Sequence, residues 1–164
     1  YFFKYYYNMT ILVFDLDDTL LMSGTYKRYS DIEPDHYLNF LLFKLKCKKF
    51  IYTNGTYGHA HDSLINMQCK ELFNEIYARD TLMYMKPYSR SFNEVRNNII
   101  YRHNNSNTDD IIFFDDLQDN LKTASEMGWY TVWIKDTDET IRDKPYINYH
   151  FRTIREALQN LKLN

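Results

Sequence analysis

Four short stretches of this chain are apolar at every position: ILVF at 11–14, FIY at 50–52, IIFF at 111–114 and VWI at 132–134. A strand with one face in water alternates apolar and polar residues. An unbroken apolar strand is buried on both faces, which is the condition of a parallel sheet sandwiched between helices. The intervening segments supply those helices. Apolar residues recur at helical spacing over 34–46, 58–73, 88–102, 117–127 and 152–162. Strands are predicted at 10–15, 49–54, 74–79, 111–115 and 130–134. The alternation predicts a three-layer α/β fold around a central parallel sheet. Gly128 is placed to close the fourth helix, and NNSNTDD at 104–110 reads as a loop.

A length of 164 residues suits one domain with a real core, and 45% hydrophobic content supplies it. We read residues 10–164 as that domain and 1–9 as an aromatic extension. A net charge of −2 gives no global field toward nucleic acid or an anionic membrane. The 16 tyrosines and 11 phenylalanines are spread along the chain, so they indicate compositional drift rather than an aromatic binding face. Cys47 and Cys69 lack metal-ligand spacing and read as free thiols of a reducing compartment. No apolar run approaches the ~20 residues of a membrane span. A cytoplasmic protein is the expectation.

In a parallel sheet of this kind, ligands bind at the carboxyl ends of the strands. Polar residues crowd three of those ends: Asp15 with Asp17, Thr53 with Asn54, and Asp115 with Asp116. Asp15 and Asp17 project to one side if the chain stays extended. Two carboxylates about 5 Å apart repel by roughly 3 kcal/mol at an effective dielectric of 20. A proton, a hydrogen-bond donor or a cation must compensate. Four acids converging on one crevice suit a hard cation such as Mg²⁺. The Thr53 hydroxyl and nearby amides before a helix start form a candidate anion cradle. Lys86 precedes Pro87, which narrows its backbone freedom. It could balance the carboxylates and grip phosphate.

The ordered set FDLDDTL, TN, KP and FFDDLQDN resembles the haloacid dehalogenase superfamily of phosphohydrolases, from about Thr10 to near the end of the chain. YTNGTYGHA and FFDDLQDNLKTASEMGW are most similar to its pyrimidine 5′-nucleotidase-like branch, in which the second motif also runs into a His-Ala pair, here His59 and Ala60. The resemblance implies Asp15 as a nucleophile that becomes an aspartyl phosphate and Asp17 as general acid and base. It implies Thr53 and Asn54 as phosphate-binding and orienting residues, and Lys86 as the neutralising lysine. Asp116 is implied as the principal Mg²⁺ ligand beside Asp15 and the Asp17 carbonyl, and Asp115 as an auxiliary or outer ligand. Thr19 and Asn120 are implied as supporting residues. It also implies a phosphatase rather than a dehalogenase, because the dehalogenases lack an acid where Asp17 stands.

One departure is large. Relatives of that branch insert a helical cap after the first motif, but here only residues 20–33 and 55–85 are available to cover the site. A capless, open site is expected, favouring a macromolecular phosphorylated substrate such as a phosphoprotein or a nucleic-acid end. A small-molecule nucleotidase or sugar phosphatase is the alternative, and a non-catalytic binding module of the same fold is a third. His59 and His61 are expected to face solvent or a substrate rim rather than a metal.

Overall fold

The computed structural model describes residues 10–22, 24, 26–103 and 111–160. The extension at 1–9, the loop at 104–110 and the end of the last predicted helix lie outside them. Six strands form one sheet: Ile11–Phe14 (β1), Lys48–Tyr52 (β2), Glu75–Tyr77 (β3), Ile111–Asp115 (β4), Tyr130–Ile134 (β5) and Tyr149–Phe151 (β6). Their order is β3-β2-β1-β4-β5-β6, and every pairing is parallel. β1 lies between β2 and β4, with Phe14 opposite both Ile51 and Phe114. From β1 the chain winds outward in one direction and then, from β4, in the other. The crevice at the carboxyl end of β1 is therefore the topological switch point.

Five helices cover the sheet: His36–Lys44 (α1), Tyr57–Asn66 (α2), Ser89–His103 (α3), Gln118–Glu126 (α4) and Ile154–Asn160 (α5). Alternate residues of each strand divide the interior in two. Leu12 and Phe14 pack with Leu38 and Leu42 of α1, Leu64 of α2 and Leu158 of α5. Ile11 and Val13 pack with Phe92 and Val95 of α3 and Leu121 of α4. On that second face Phe92 meets Tyr52, Phe113 and Trp129 edge-on, with ring centroids 5.2–5.8 Å apart. Such contacts add to the area that the rings bury. Cys47 and Cys69 are free. Among the described residues no helix is long and apolar enough to cross a membrane.

Two expectations needed correction. The helix predicted over 58–73 stops at Asn66. Gln68 takes a positive φ of 56°, Cys69 N–H donates to Leu64 O and Gln68 N–H to Ile65 O, both at 3.0 Å. That is a Schellman stop built on glutamine. The same stop ends α4 with glycine: Gly128 has φ 79°, and Trp129 N–H donates to Ala124 O. Only the glycine version is visible in sequence. The sixth strand was also not foreseen. It is three half-buried residues with no apolar run to announce it.

Among the described residues no second domain interrupts the fold. Between β1 and α1 there is a tight turn and a 3₁₀ turn at Tyr29–Asp31. Between β2 and β3 there is α2 and a 3₁₀ turn at Lys70–Leu72.

Candidate active site

Asp15 follows the last residue of β1 and continues its pairing, donating its N–H to Phe114 O at 2.9 Å. The chain then turns at once. Leu16 O accepts from the amides of Thr19, Leu20 and Leu21, and Asp18 sits at φ 59°. This turn separates the two acids that the sequence sets two apart. Asp15 is 7% exposed and faces the sheet end. Asp17 is half-exposed and faces α2. The repulsion expected between them is met by two different partners rather than one.

The partner of Asp15 is Lys86. Its side chain is 1% exposed, and Nζ donates to Asp15 Oδ1 at 2.8 Å and to Asp115 Oδ2 at 2.7 Å. The ammonium also lies over the rings of Tyr52 and Phe113, at 5.1 and 5.3 Å from their centroids, a favourable cation–π arrangement. Asn54 fixes the lysine's backbone: its Nδ2 donates to Lys86 O at 2.9 Å, and its Oδ1 accepts from Lys86 N–H at 3.0 Å. Thr53, 2% exposed, accepts from Gly55 N–H at 2.9 Å. Thr19 is buried, with its hydroxyl at a long 3.5 Å from Asp15.

Across β1, the end of β4 supplies two further acids. Asp15, Asp115 and Asp116 are buried and bring carboxylate oxygens within 4.8 Å of one another. Asp115 is fully buried and fully engaged. Besides Lys86 it accepts from Leu117 N–H at 2.8 Å and, at both oxygens, from Asn120 Nδ2 at 3.0 Å. These bonds occupy Asp115, so Asp15 and Asp116 are the carboxylates of the cluster better placed to hold a cation. Asp116 meets Lys135 Nζ at 3.3 Å, and the lysine side chain is half-exposed. Its backbone carbonyl is fixed by Trp133 Nε1–H at 2.9 Å. A cleft of about 580 Å³ leads from Lys86 and Asp116 past Leu117 and Gln118 to Trp133 and Lys135.

The electrostatics follow from burial and crowding. Burial pushes Asp15 up; Lys86 opposes this and Asp115 adds to it, and the result is about 7. Asp116 is also raised, by burial and then by Asp115. Burial alone would lower Lys86, but Asp115 and Asp15 outweigh it and hold it above the ordinary lysine value. Three buried carboxylates balanced by one buried ammonium and the half-exposed Lys135 suit a divalent cation of the Mg²⁺ class.

The residues expected at the site therefore converge, and Lys135, which was not expected, joins them. His59, anticipated at solvent or a rim, lies at the mouth of the site and places Nε2 at 2.8 and 3.0 Å from the Asp17 carboxylate oxygens. His61 is partly exposed beside Asp62. Lys135 follows β5 directly. Reading the carboxyl end of that strand as the other three were read would have found it. The His-Ala pair after the second motif singled out His59, but nothing in the sequence showed that its ring reaches Asp17.

The sequence profile of haloacid dehalogenase-like hydrolases matches residues 34–134. The chain belongs to this family. Among curated proteins nothing matches it. Solved structures of family members share its fold. The HAD-hydrolase YfnB of Bacillus subtilis, bound to magnesium, is 14% identical with a TM-score of 0.69, over 93% of this chain and 98% of that one. The core domain of a Streptococcus pneumoniae protein assigned as a phosphoglycolate phosphatase is 16% identical with a TM-score of 0.61, over 92% and 93%. An L-2-haloacid dehalogenase of Xanthobacter autotrophicus is 12% identical with a TM-score of 0.62; the match covers 80% of this chain but 62% of that one. At these identities the likeness shows the fold. This haloacid dehalogenase-like hydrolase matches the first two along almost their whole length and the dehalogenase along less than two thirds.

Proposed function

We propose that this hydrolase is a Mg²⁺-dependent phosphomonoesterase working through an aspartyl phosphate. The observation that carries the reading is Asp17: a second carboxylate two positions after Asp15, turned out of the buried triad and held at the mouth of the site. Displacing halide from carbon needs no proton donor for the leaving group. Displacing an alkoxide from phosphorus does.

Asp15 and Asp116 would hold the ion, with the Asp17 carbonyl completing the protein's share and Asp115 behind them. Bound there, Mg²⁺ supplies charge neutralisation between nucleophile and phosphoryl oxygens. In the first step an Asp15 oxygen bonds to phosphorus, the bond to the leaving oxygen breaks, and Asp17 gives that oxygen its proton. In the second a water oxygen bonds to phosphorus, Asp17 takes the water's proton, and the Asp15–phosphorus bond breaks. Inorganic phosphate leaves, Asp15 is again a free carboxylate and Asp17 again holds its proton. Lys86 stabilises the charge on Asp15 and on the phosphoryl group. The Thr53 hydroxyl hydrogen points the phosphate toward Asp15, and Asn54 keeps Lys86 in place.

The short 3₁₀ segment standing where relatives carry a cap supports an open site. Such a site favours a macromolecular substrate, a phosphoprotein or a nucleic-acid end, over free nucleotides of the kind the pyrimidine nucleotidase-like branch hydrolyses. Lys27 and Arg28, just before that segment, are exposed, Arg28 beside Asp31, and suit a negatively charged polymer. The deciding experiment is a phosphoester panel with and without chelator, run beside 2-haloacids. Mg²⁺-dependent phosphate release that Asp15→Asn abolishes supports the reading. Chloride release, or activity indifferent to chelator, would refute it. A free nucleotide hydrolysed better than every phosphopeptide and phosphorylated oligonucleotide would overturn the open-site part alone.

A further inference from the structure

Asp17 does not stand alone at the mouth of the site. Its carboxylate meets His59 Nε2 at 2.8 and 3.0 Å, and the opposite ring nitrogen, Nδ1, meets the Tyr29 hydroxyl at 2.9 Å. The three groups come from three separate places: the turn after β1, the first turn of α2 and the 3₁₀ segment at Tyr29–Asp31. The Tyr29 and His59 rings also pack, with centroids 5.7 Å apart. Gly55 leaves space for this arrangement. A Cβ there would lie 2.8 Å from His59 Cδ2 and 3.6 Å from Asp17 Oδ2. The Thr56 side chain caps α2 by accepting from His59 N–H at 3.2 Å, which fixes the residue's backbone as well.

We propose that His59, braced by Tyr29, is a positioning residue that holds the Asp17 carboxyl at the leaving-group oxygen and away from the cation site formed by Asp15 and Asp116. The inference rests on the phosphatase reading above and deepens it. A free aspartate beside a divalent cation has a competing use as a ligand. Tied through both oxygens to an imidazole on the far side of the turn, Asp17 does not have that use. Imidazole and phenol hydroxyl each donate and accept. The chain therefore stays hydrogen-bonded whether Asp17 holds the transferred proton or has given it up. Tyr29 lies in the short stretch between the first motif and α1, where relatives insert a cap, so this stretch supports the chemistry directly.

The test separates the two steps by leaving group. Phosphorylation rates are measured in single turnover with Mg²⁺ on an alkyl phosphate, which needs the acid, and on p-nitrophenyl phosphate, which does not. His59→Ala slows phosphorylation by the alkyl ester on the order of 10- to 100-fold, and by the aryl ester less than about threefold. His59→Gln, which returns a donor near Nε2, restores most of the alkyl rate. Tyr29→Phe, which keeps the ring, falls between wild type and His59→Ala. In the metal-free protein the ¹⁵N signals of the His59 ring shift on Tyr29→Phe and on Asp17→Asn. Equal slowing of both esters by His59→Ala would mean that His59 touches substrate or merely supports the fold, and would overturn the proposal. So would a wild-type alkyl rate in His59→Ala. Asp17→Asn is the control for the reading beneath. If it shows no leaving-group dependence, or if wild type hydrolyses neither ester, the phosphatase mechanism itself fails and the proposal falls with it.

Discussion

Lys86→Met tests the electrostatic design of the site without any substrate. The ammonium is 1% exposed and bonds two buried carboxylates, at 2.8 and 2.7 Å. Methionine keeps most of the side-chain volume, so the cavity term is small. What is lost is the charge, and removing one partner of a buried ion pair costs about 3–5 kcal/mol. Here the lower end applies. Asp15 already sits near 7 and can take up a proton, while Asp115 keeps its bonds from Leu117 N–H and Asn120. A loss of about 3 kcal/mol corresponds to about 6–12 °C in melting temperature for a chain of this size. The assay is urea unfolding in chelator, with thermal unfolding as a second probe. Adding Asp115→Asn removes the charge left without a partner, so the double variant recovers about 1–3 kcal/mol relative to Lys86→Met. If Lys86→Met stays within about 1 kcal/mol of wild type, or the two changes simply add, the lysine is not the counter-ion that this geometry makes it.

Asn54→Ala removes both bonds that hold the Lys86 backbone; it lowers stability by about 1–2 kcal/mol and turnover on the order of tenfold, read by unfolding and steady-state kinetics. Phe92→Ala empties the meeting point of Tyr52, Phe113 and Trp129 and costs about 3–5 kcal/mol in urea unfolding. Burial works to raise Glu75, but bonds from His103, Tyr77 and Arg102 outweigh it and hold the carboxyl below its ordinary 4.5. A depressed carboxylate contributes stability that is present above 4.5 and lost as pH falls through the folded-state value. Glu75→Gln therefore flattens the acid limb of the stability–pH profile, read by urea unfolding at a series of pH values below neutrality.

Much of this was legible in the residues. The unbroken runs at 11–14, 50–52 and 111–114 became neighbouring parallel strands with the first in the middle, because full burial leaves such segments few alternatives. The polar residues at their ends met at one crevice for the same topological reason. The end of α2 was not legible, because Gln68 performs a glycine's role and carries no glycine signal. The pairing of His59 with Asp17 was hidden for a different reason. It depends on how sharply the chain turns after Asp15, and an extended reading aims Asp17 the wrong way. That turn is held by three amides converging on Leu16 O, a backbone pattern that side-chain identity does not encode.

The turn also explains how one site keeps proton transfer and charge neutralisation apart. β1 supplies Asp15 from the centre of the sheet. On one side, β2 and α2 supply Thr53, Asn54 and His59. On the other, β4 and β5 supply Asp115, Asp116 and Lys135. Three buried carboxylates against one buried ammonium leave the second side with an excess of two negative charges, apart from the half-exposed Lys135. A divalent cation would cancel that excess. Had Asp17 stayed extended beside Asp15, its charge would have joined the same cluster, and a cation bound there would have competed for the carboxylate that the proposed mechanism needs as a proton carrier. Turning Asp17 toward α2 gives it a hydrogen-bonding partner, His59, instead. Only Asp15 then belongs to both sides, as the proposed mechanism would require of a nucleophile whose charge a cation screens and whose leaving group Asp17 protonates.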